Sequence, residues 1–420
     1  MAKRLTYYIL GAMIAGIILG ITLNRTITDP ATLSNVTGYI SILTDLFLRL
    51  IKMIIAPLVF ATLVTGIAHM GDTAALGRVG FRSIAWFLGA SLLSLTLGLI
   101  MVNILQPGSG AELVLPPEGA SAGVSQADFS LKQFVTHLVP KSFFEAMAEN
   151  EILQIVVFSV FAGVAITAVG ERAAPLVRGI DALGHVMLQI TDYVMRFAPF
   201  AVFAAVTTAL AEQGPGILIS FGKFMGGFYL SMLLLWAVLL TLCYAICGGR
   251  SKLLIRYIRE PILLAFSTAS SEAAFPRTLE ALDRFGVPPR IASFVLPLGY
   301  SFNLDGSMIY CTFATMFIAQ AYGIELTFGH QVTMLLILMV TSKGIAGVPR
   351  ASLVVISSTL AFFDIPEAGV LLILAVDHFL DMGRSATNVV GNAVASVVVA
   401  KWEGNLDIIE PPEIEPAHAP

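Results

Sequence analysis

Between "GVLLILAV" and "AVASVVVA" lies "DMGRSATNVVGN", residues 381–392. It sets Asp381, Arg384, Ser385, Asn388 and Asn392 inside an apolar stretch, with Asp377 one turn ahead. On a helix at 100° per residue with Asp377 at zero, Asp381 falls at about 40°, Arg384 at about 340°, Ser385 at about 80°, Asn388 at about 20° and Asn392 at about 60°. All six share one face. Ionisable side chains at membrane depth are costly and usually mark a substrate or ion path. The competing reading is a self-satisfied polar network that only ties helices together. Arg384 offers a planar fork of donors suited to a carboxylate. Asp381 can accept from an ammonium group, and Ser385 and Asn388 can bond the remaining polar atoms. Opposite charges one turn apart fit a zwitterion with an extra carboxylate, an acidic amino acid. Alternatively Asp381 and Arg384 pair with each other, closed without substrate and opened by it.

Three other segments interrupt apolar sequence with polar residues, Gly and Pro. "FSTASSEAAFP" (266–276) is Ser-rich ahead of a new helix, an arrangement that suits an anion. A substrate carboxylate is expected at the Ser270–Ser271 backbone, with helix capping by Ser271 a compatible reading. Glu272 is either a first-turn residue favoured by the helix dipole or a proton-carrying gate carboxyl. "LPLGYSFNLDGSMIY" (296–310) breaks a helix at Gly299, Asn303, Asp305 and Gly306, which exposes carbonyls beside hard side-chain oxygens and suits an alkali cation. "TSKGIAGVPRASLVV" (341–355) places Gly344, Gly347 and Pro349 between two apolar arms, a re-entrant hairpin with a lid at its tip.

These segments need a membrane to position them. The chain has 420 residues, 57% hydrophobic and 12% charged, against about 25% charged in soluble domains. Apolar runs near 6–24, 40–69, 80–105, 151–169, 176–212 and 218–247 are long enough for the hydrocarbon core. Discontinuous helices at membrane depth are tolerated where they are buried or line a cavity. The sequence therefore predicts an all-α polytopic membrane protein. Lys3 and Arg4, Arg78 and Arg82, and the cluster Arg250, Lys252, Arg256 and Arg259 all fit the cytoplasmic side. Both termini are then cytoplasmic, the connector 107–150 reads as an extracellular loop, and the acidic, Pro-rich tail as disordered. A net charge of −4 argues against nucleic acid. Cys243 and Cys247 read as packing residues rather than metal ligands. No HExxH or GxSxG motif is present, which argues against an intramembrane hydrolase.

"STASSEAAFP", "GYSFNLDGS", "SKGIAGVP" and "DMGRSATNVVGN", in this order and spacing, resemble the dicarboxylate/amino acid:cation symporter family, and within it the bacterial proton/glutamate–aspartate symporters. The resemblance covers nearly the whole chain and is densest over 250–405. It implies eight transmembrane helices and two re-entrant hairpins built as inverted repeats, in a homotrimer with an elevator mechanism. The scaffold would comprise helices 1–2 (1–76) and 4–5 (151–214). The transport domain would comprise helix 3 (77–106) and 215–405, with 406–420 as a tail. By matching position, substrate contacts fall on Ser271, Ser307, Val348, Asp381, Arg384, Ser385 and Asn388. Cation ligands of the sodium-coupled branch fall on Gly299, Ser301, Asn303, Asp305, Asn388 and Asn392, with another site near Ser91; Asn303 and Asp305 are the sodium-ligating side chains. No cofactor is implied.

Several positions depart from the sodium-coupled pattern. Position 392 is Asn where an Asp would ligate sodium. Phe87 and Ala90 replace hydroxyl residues near Ser91. Fewer charges and oxygens weaken a hard-cation site, so a proton is the expected coupling ion, carried by Glu272, Asp305 or Asp381. Ala269 stands where many amino-acid carriers have Arg, and Arg350 where relatives have Gly. Arg350 either supplies the displaced cation or points to solvent. The resulting expectation is a proton-coupled importer of glutamate and aspartate in the cell inner membrane. Sodium coupling, C4-dicarboxylate transport and an anion channel are the alternatives.

Overall fold

The computed structural model describes residues 2–70, 73–109, 136, 138–213, 221–341, 351–363, 365–374 and 376–406. Among them the regular structure is helical, without strands. α1 (Ala2–Thr26) is followed by α2 (Pro30–Met70) and α3 (Thr73–Leu105). α2 begins ten residues before the apolar run because Asp29 and Pro30 start it. The Asp29 carboxylate accepts from the Thr32 hydroxyl and backbone N–H, and Pro30 fits the first helical position. Those bonds, the Thr32 hydroxyl's first, hold the Asp29 pKa below the usual carboxylate range. At 41 residues α2 spans about 60 Å, so it must tilt or project beyond the bilayer.

The connector read as loop contains α4 (Phe143–Ala148), with Ser142 Oγ accepting from the Glu145 N–H. Its Phe143 ring stacks on Phe158 at 4.3 Å; the sequence reading missed this anchor because the helix is only six residues long. Residues 110–135 lie outside the described residues, as does the tail from 407. α5 (Ile152–Val169), α6 (Ala174–Met195) and α7 (Ala198–Gln213) follow. The apolar run 176–212 is thus two helices rather than one. The chain breaks at Arg196–Phe197, just ahead of Pro199, which lacks an N–H to continue the preceding helix.

α8 (Gly222–Cys247) leads to the first interrupted segment, an arm α9 (Leu254–Thr268) and a return arm α10 (Phe275–Phe285). α11 (Pro289–Phe302) and α12 (Asp305–Ala321) are one helix path broken at Asn303–Leu304. α13 (Phe328–Thr341) and α14 (Ala351–Phe362) are the arms of the second hairpin. α15 (Val370–Leu374) precedes α16 (Asp377–Trp402), which is buried along most of its length.

Packing sorts these helices into two groups. α2 packs on α5, α6 and α7, and α1 on α7. α16 is surrounded by α8, α9, α11 and α12, with α3 and α14 also on α12. The groups meet through α2 and α5 on α11 and through α1 and α7 on α9. The seam is not flush: a cavity of about 590 Å³ separates α2 and α6 from α10 and α11, lined by Thr65, Asp181, His185, Asp283, Arg290 and Ser293. Among the described residues, four helical stretches, including α3 and α8, are long and apolar enough to cross a membrane.

Candidate substrate and cation site

α16 supplies the polar stripe, and its burial makes each partner identifiable. Arg384 Nε lies 2.9 Å from Asp381 Oδ1, both side chains being only about 15% exposed. The pair expected from the sequence is therefore closed. An Arg384 terminal nitrogen donates to Ser352 Oγ at 2.9 Å and reaches Ser307 Oγ at 3.4 Å. Ser307 comes from the first turn of α12 and Ser352 from the first turn of α14, so three elements converge on one guanidinium. Asn388 ties α16 to the break: its Oδ1 accepts from the Gly306 N–H at 2.8 Å and its Nδ2 donates to Ser307 Oγ at 3.4 Å. Ser385 is buried on the same helix.

One turn before Asp381, Asp377 Oδ1 accepts from the Tyr310 hydroxyl at 2.6 Å, and both residues are buried. The stripe includes Asp377, but nothing in the sequence pairs it with a tyrosine on another helix. Ser352 was likewise not anticipated; its place in the first turn after the lid was the available signal.

A second polar cluster sits deeper along α16. At the α11–α12 break Asn303 leaves helical geometry, with φ −121° and ψ 60°. Its Nδ2 donates to Asp305 Oδ2 at 3.1 Å and to Asn392 Oδ1 at 3.3 Å. Ser94 of α3 donates to Asp305 Oδ1 at 3.1 Å. Ser91, one turn away on α3, is buried as well. Two glycines make room. A Cβ on Gly391 would overlap the Asp305 carboxylate, and one on Gly299 would overlap the Asn392 amide. The buried Ser301 Oγ, Asn303 Oδ1 and Asn392 Nδ2 have no hydrogen-bond partner among the described residues. Orphaned buried polar atoms are rare and call for a ligand or water. The cluster offers one carboxylate and several neutral oxygens, a donor set that suits a monovalent cation or a proton.

The first hairpin tip differs in detail from expectation. Ala269 ends α9 in the left-handed region at φ 51°. The capping hydroxyl is Ser270, whose Oγ accepts from the Ala273 N–H at 3.3 Å. Ser271 makes no side-chain cap, because the left-handed Ala269 turns the chain one residue earlier than assumed. Glu272 lines a cavity of about 20 Å³ with Tyr300 and Ser301 against α2, space enough for about one water. It is thus near the cation cluster and the seam between the helix groups. The lid residues Gly344, Gly347, Val348, Pro349 and Arg350 lie outside the described residues.

Residues 5–402 match the model of the sodium:dicarboxylate symporter family. The chain is 38% identical over 411 residues to a proton/sodium-glutamate symport protein of Bacillus subtilis, covering 96% of this chain and 94% of that one. It is 39% identical over 411 residues to the proton/glutamate-aspartate symporter of Escherichia coli, with the same coverage. It is 39% identical over 410 residues to a C4-dicarboxylate transport protein of Laribacter hongkongensis, covering 96% and 91%. With a family match over nearly its whole length and, among the described residues, a helical fold without strands, the chain belongs to the sodium:dicarboxylate symporter family.

Proposed function

We propose that this protein imports glutamate and aspartate across the cell inner membrane in symport with protons. The observation that carries the reading is the closed Asp381–Arg384 pair at 2.9 Å. A zwitterionic dicarboxylate replaces both halves of that pair, its ammonium taking Asp381 and its side-chain carboxylate taking Arg384. A succinate or malate dianion would satisfy Arg384 but meet Asp381 as an uncompensated like charge. Ser307, Ser352 and Asn388 already converge on the same guanidinium or its neighbours. Ser270 and Ser271 would meet the second carboxylate from the first hairpin.

Proton coupling is supported by the second cluster. Asn392 there is hydrogen-bonded to Asn303 and contributes no negative charge, leaving Asp305 as the one carboxylate. Gly299, Ser301, Asn303, Asp305, Asn388 and Asn392 retain enough oxygens for an ion, so sodium as partner is the alternative tested alongside. The two packing groups, and the cavity between them, fit a scaffold and a mobile transport domain in a homotrimeric elevator with cytoplasmic termini. The test is uptake by proteoliposomes with proton and sodium gradients imposed separately. Proton-driven accumulation of aspartate and glutamate in preference to succinate is expected. Accumulation that responds to sodium alone, or succinate taken up as well as aspartate, rejects the reading.

A further inference from the structure

We propose that the cavity in the seam binds a small organic cation, an ammonium carried on a compact apolar body, and that this occupant holds the two helix groups together. The holding role rests on the elevator reading above; the site does not. The cavity measures about 590 Å³, within the roughly 300–1,000 Å³ of small-molecule sites. Its walls come from different groups, α2 and α6 on one side and α10 and α11 on the other. Leu188 of α6, Leu279 of α10, and Pro288 and Pro289 at the start of α11 line it with carbon. Such walls suit a carbon skeleton rather than a hydrated ion.

Charge and one hydroxyl define the polar end. Asp181 stands on the α6 wall and Asp283 on the α10 wall, with Glu280 and Arg290 also in the lining. Glu280 is already held by Arg277 at 2.8 Å, and the Arg290 guanidinium donates to Asn405 Oδ1 at 3.1 Å. His185 Nδ1 lies 3.6 Å from the Asp181 carboxylate. With Glu280 neutralised and His185 neutral, Asp181 and Asp283 outweigh Arg290 by one negative charge, which a single ammonium balances. Ser293 is an independent sign of a ligand. It is 3% exposed, lines the cavity, and its Oγ has no hydrogen-bond partner among the described residues. A buried hydroxyl in that state calls for a ligand or water. Opposite it α2 carries Gly66, where a Cβ would come within 2.8 Å of that Oγ, so the bare glycine leaves the hydroxyl uncovered. An ammonium brings N–H donors and no acceptor, one for Ser293 and others for the carboxylates. An anion would meet Asp181 and Asp283 as like charges. An occupant that touches both walls favours this arrangement of the two groups by its differential affinity for it.

The experiment uses the full chain, in detergent for binding and in proteoliposomes for transport. Radiolabelled adamantylammonium is the probe, and adamantanol its uncharged counterpart. Equilibrium dialysis should show saturable binding, with the alcohol displacing the probe at least about tenfold more weakly. Asp181 and Asp283 are both exposed, so the protein with Asp181→Asn and Asp283→Asn together should fold, and should bind the probe about fivefold more weakly. Ser293→Ala should cost about threefold in affinity. Its Tm without the probe should not fall, because the hydroxyl it removes bonds no described residue. In proteoliposomes the probe should lower the maximal rate of aspartate/aspartate exchange at unchanged KM. Equal pH on both sides keeps a weak base from acting through a gradient. Binding that does not saturate, or that adamantanol and the doubly substituted protein match, is partition into detergent and overturns the site. Saturable, carboxylate-dependent binding with undiminished exchange leaves the site standing and overturns the holding role. A wild type that exchanges no aspartate rejects the proposed transport function instead, and dialysis alone then decides the site.

Discussion

Arg384 shows how far one residue's neighbours decide its role. Its guanidinium is largely buried and lies against the oxygens of Asp381, Ser307 and Ser352. Replacing Asp381 by Ser removes the proposed ammonium acceptor while leaving Arg384, the proposed carboxylate anchor. The loss of one partner of a buried charge pair is worth about 2–5 kcal/mol, so kcat/KM for aspartate should fall about 30-fold or more. Succinate uptake should fall much less, or rise. Equal losses in radiolabelled uptake would refute the amine-binding role. Gly299 offers a second test. A Cβ there overlaps the Asn392 amide, so Gly299→Ala should lower the Tm in detergent, with overpacking costing about 1–3 kcal/mol. Adding Asn392→Ser should restore much of that loss. Independent, additive effects of the two changes would show that they do not touch.

Among the elements, α16 is the one on which the others depend, and it is held at both ends. Near its start Tyr229 of α8 donates to the Phe379 carbonyl. At its end Glu403, 7% exposed, pairs with Arg82 at 2.6 Å and lies 3.8 Å from Arg78, both on α3. Arg82 also donates to the Trp402 carbonyl, and the Trp402 ring meets Trp86 edge-on at 5.8 Å. This clamp holds the last carbonyls of α16 against α3, which brings Ser94 to Asp305. Glu403→Gln should therefore destabilise the protein by about 1–3 kcal/mol, read as a lower Tm in a thermal-shift assay. A variant as stable as the wild type would show that the clamp is dispensable. At the element scale the sequence was readable where an apolar run was cleanly bounded and misleading where it was not. The run 176–212 hid a break, and Ser142 with Phe143 hid a short helix.

For the whole molecule, the seam between the two packing groups matters most. Arg277 of α10 crosses it, donating to Asp192 of α6 at 2.6 Å while also holding Glu280 at 2.8 Å. Glu260 of α9 lies 3.8 Å away. The proposed elevator motion would break the Asp192 contact and keep the other two, which would travel with Arg277. Asp192→Asn leaves Arg277 paired within its own group, so folding should be little affected. Turnover should rise about two- to fivefold with KM nearly constant, since half-exposed ion pairs are worth about 0.2–1 kcal/mol. Steady-state uptake checks this, and an unchanged kcat would show that the pair does not resist the motion.

Composition and motif order were enough to place this chain in a membrane, to mark the four segments that matter and to identify Arg384 and Asp381 as opposite charges on one buried face. Those properties are local: they depend on hydropathy, helical period and residue type. The sequence could not say that Tyr310 faces Asp377, that Ser94 and Asn303 share the Asp305 carboxylate, or that Ser270 rather than Ser271 caps its turn. Each of these depends on the separation and rotation of packed helices, or on one left-handed residue. Tertiary packing alone decided which hydroxyls share the guanidinium, because Ser307 and Ser352 reach it from two other helices.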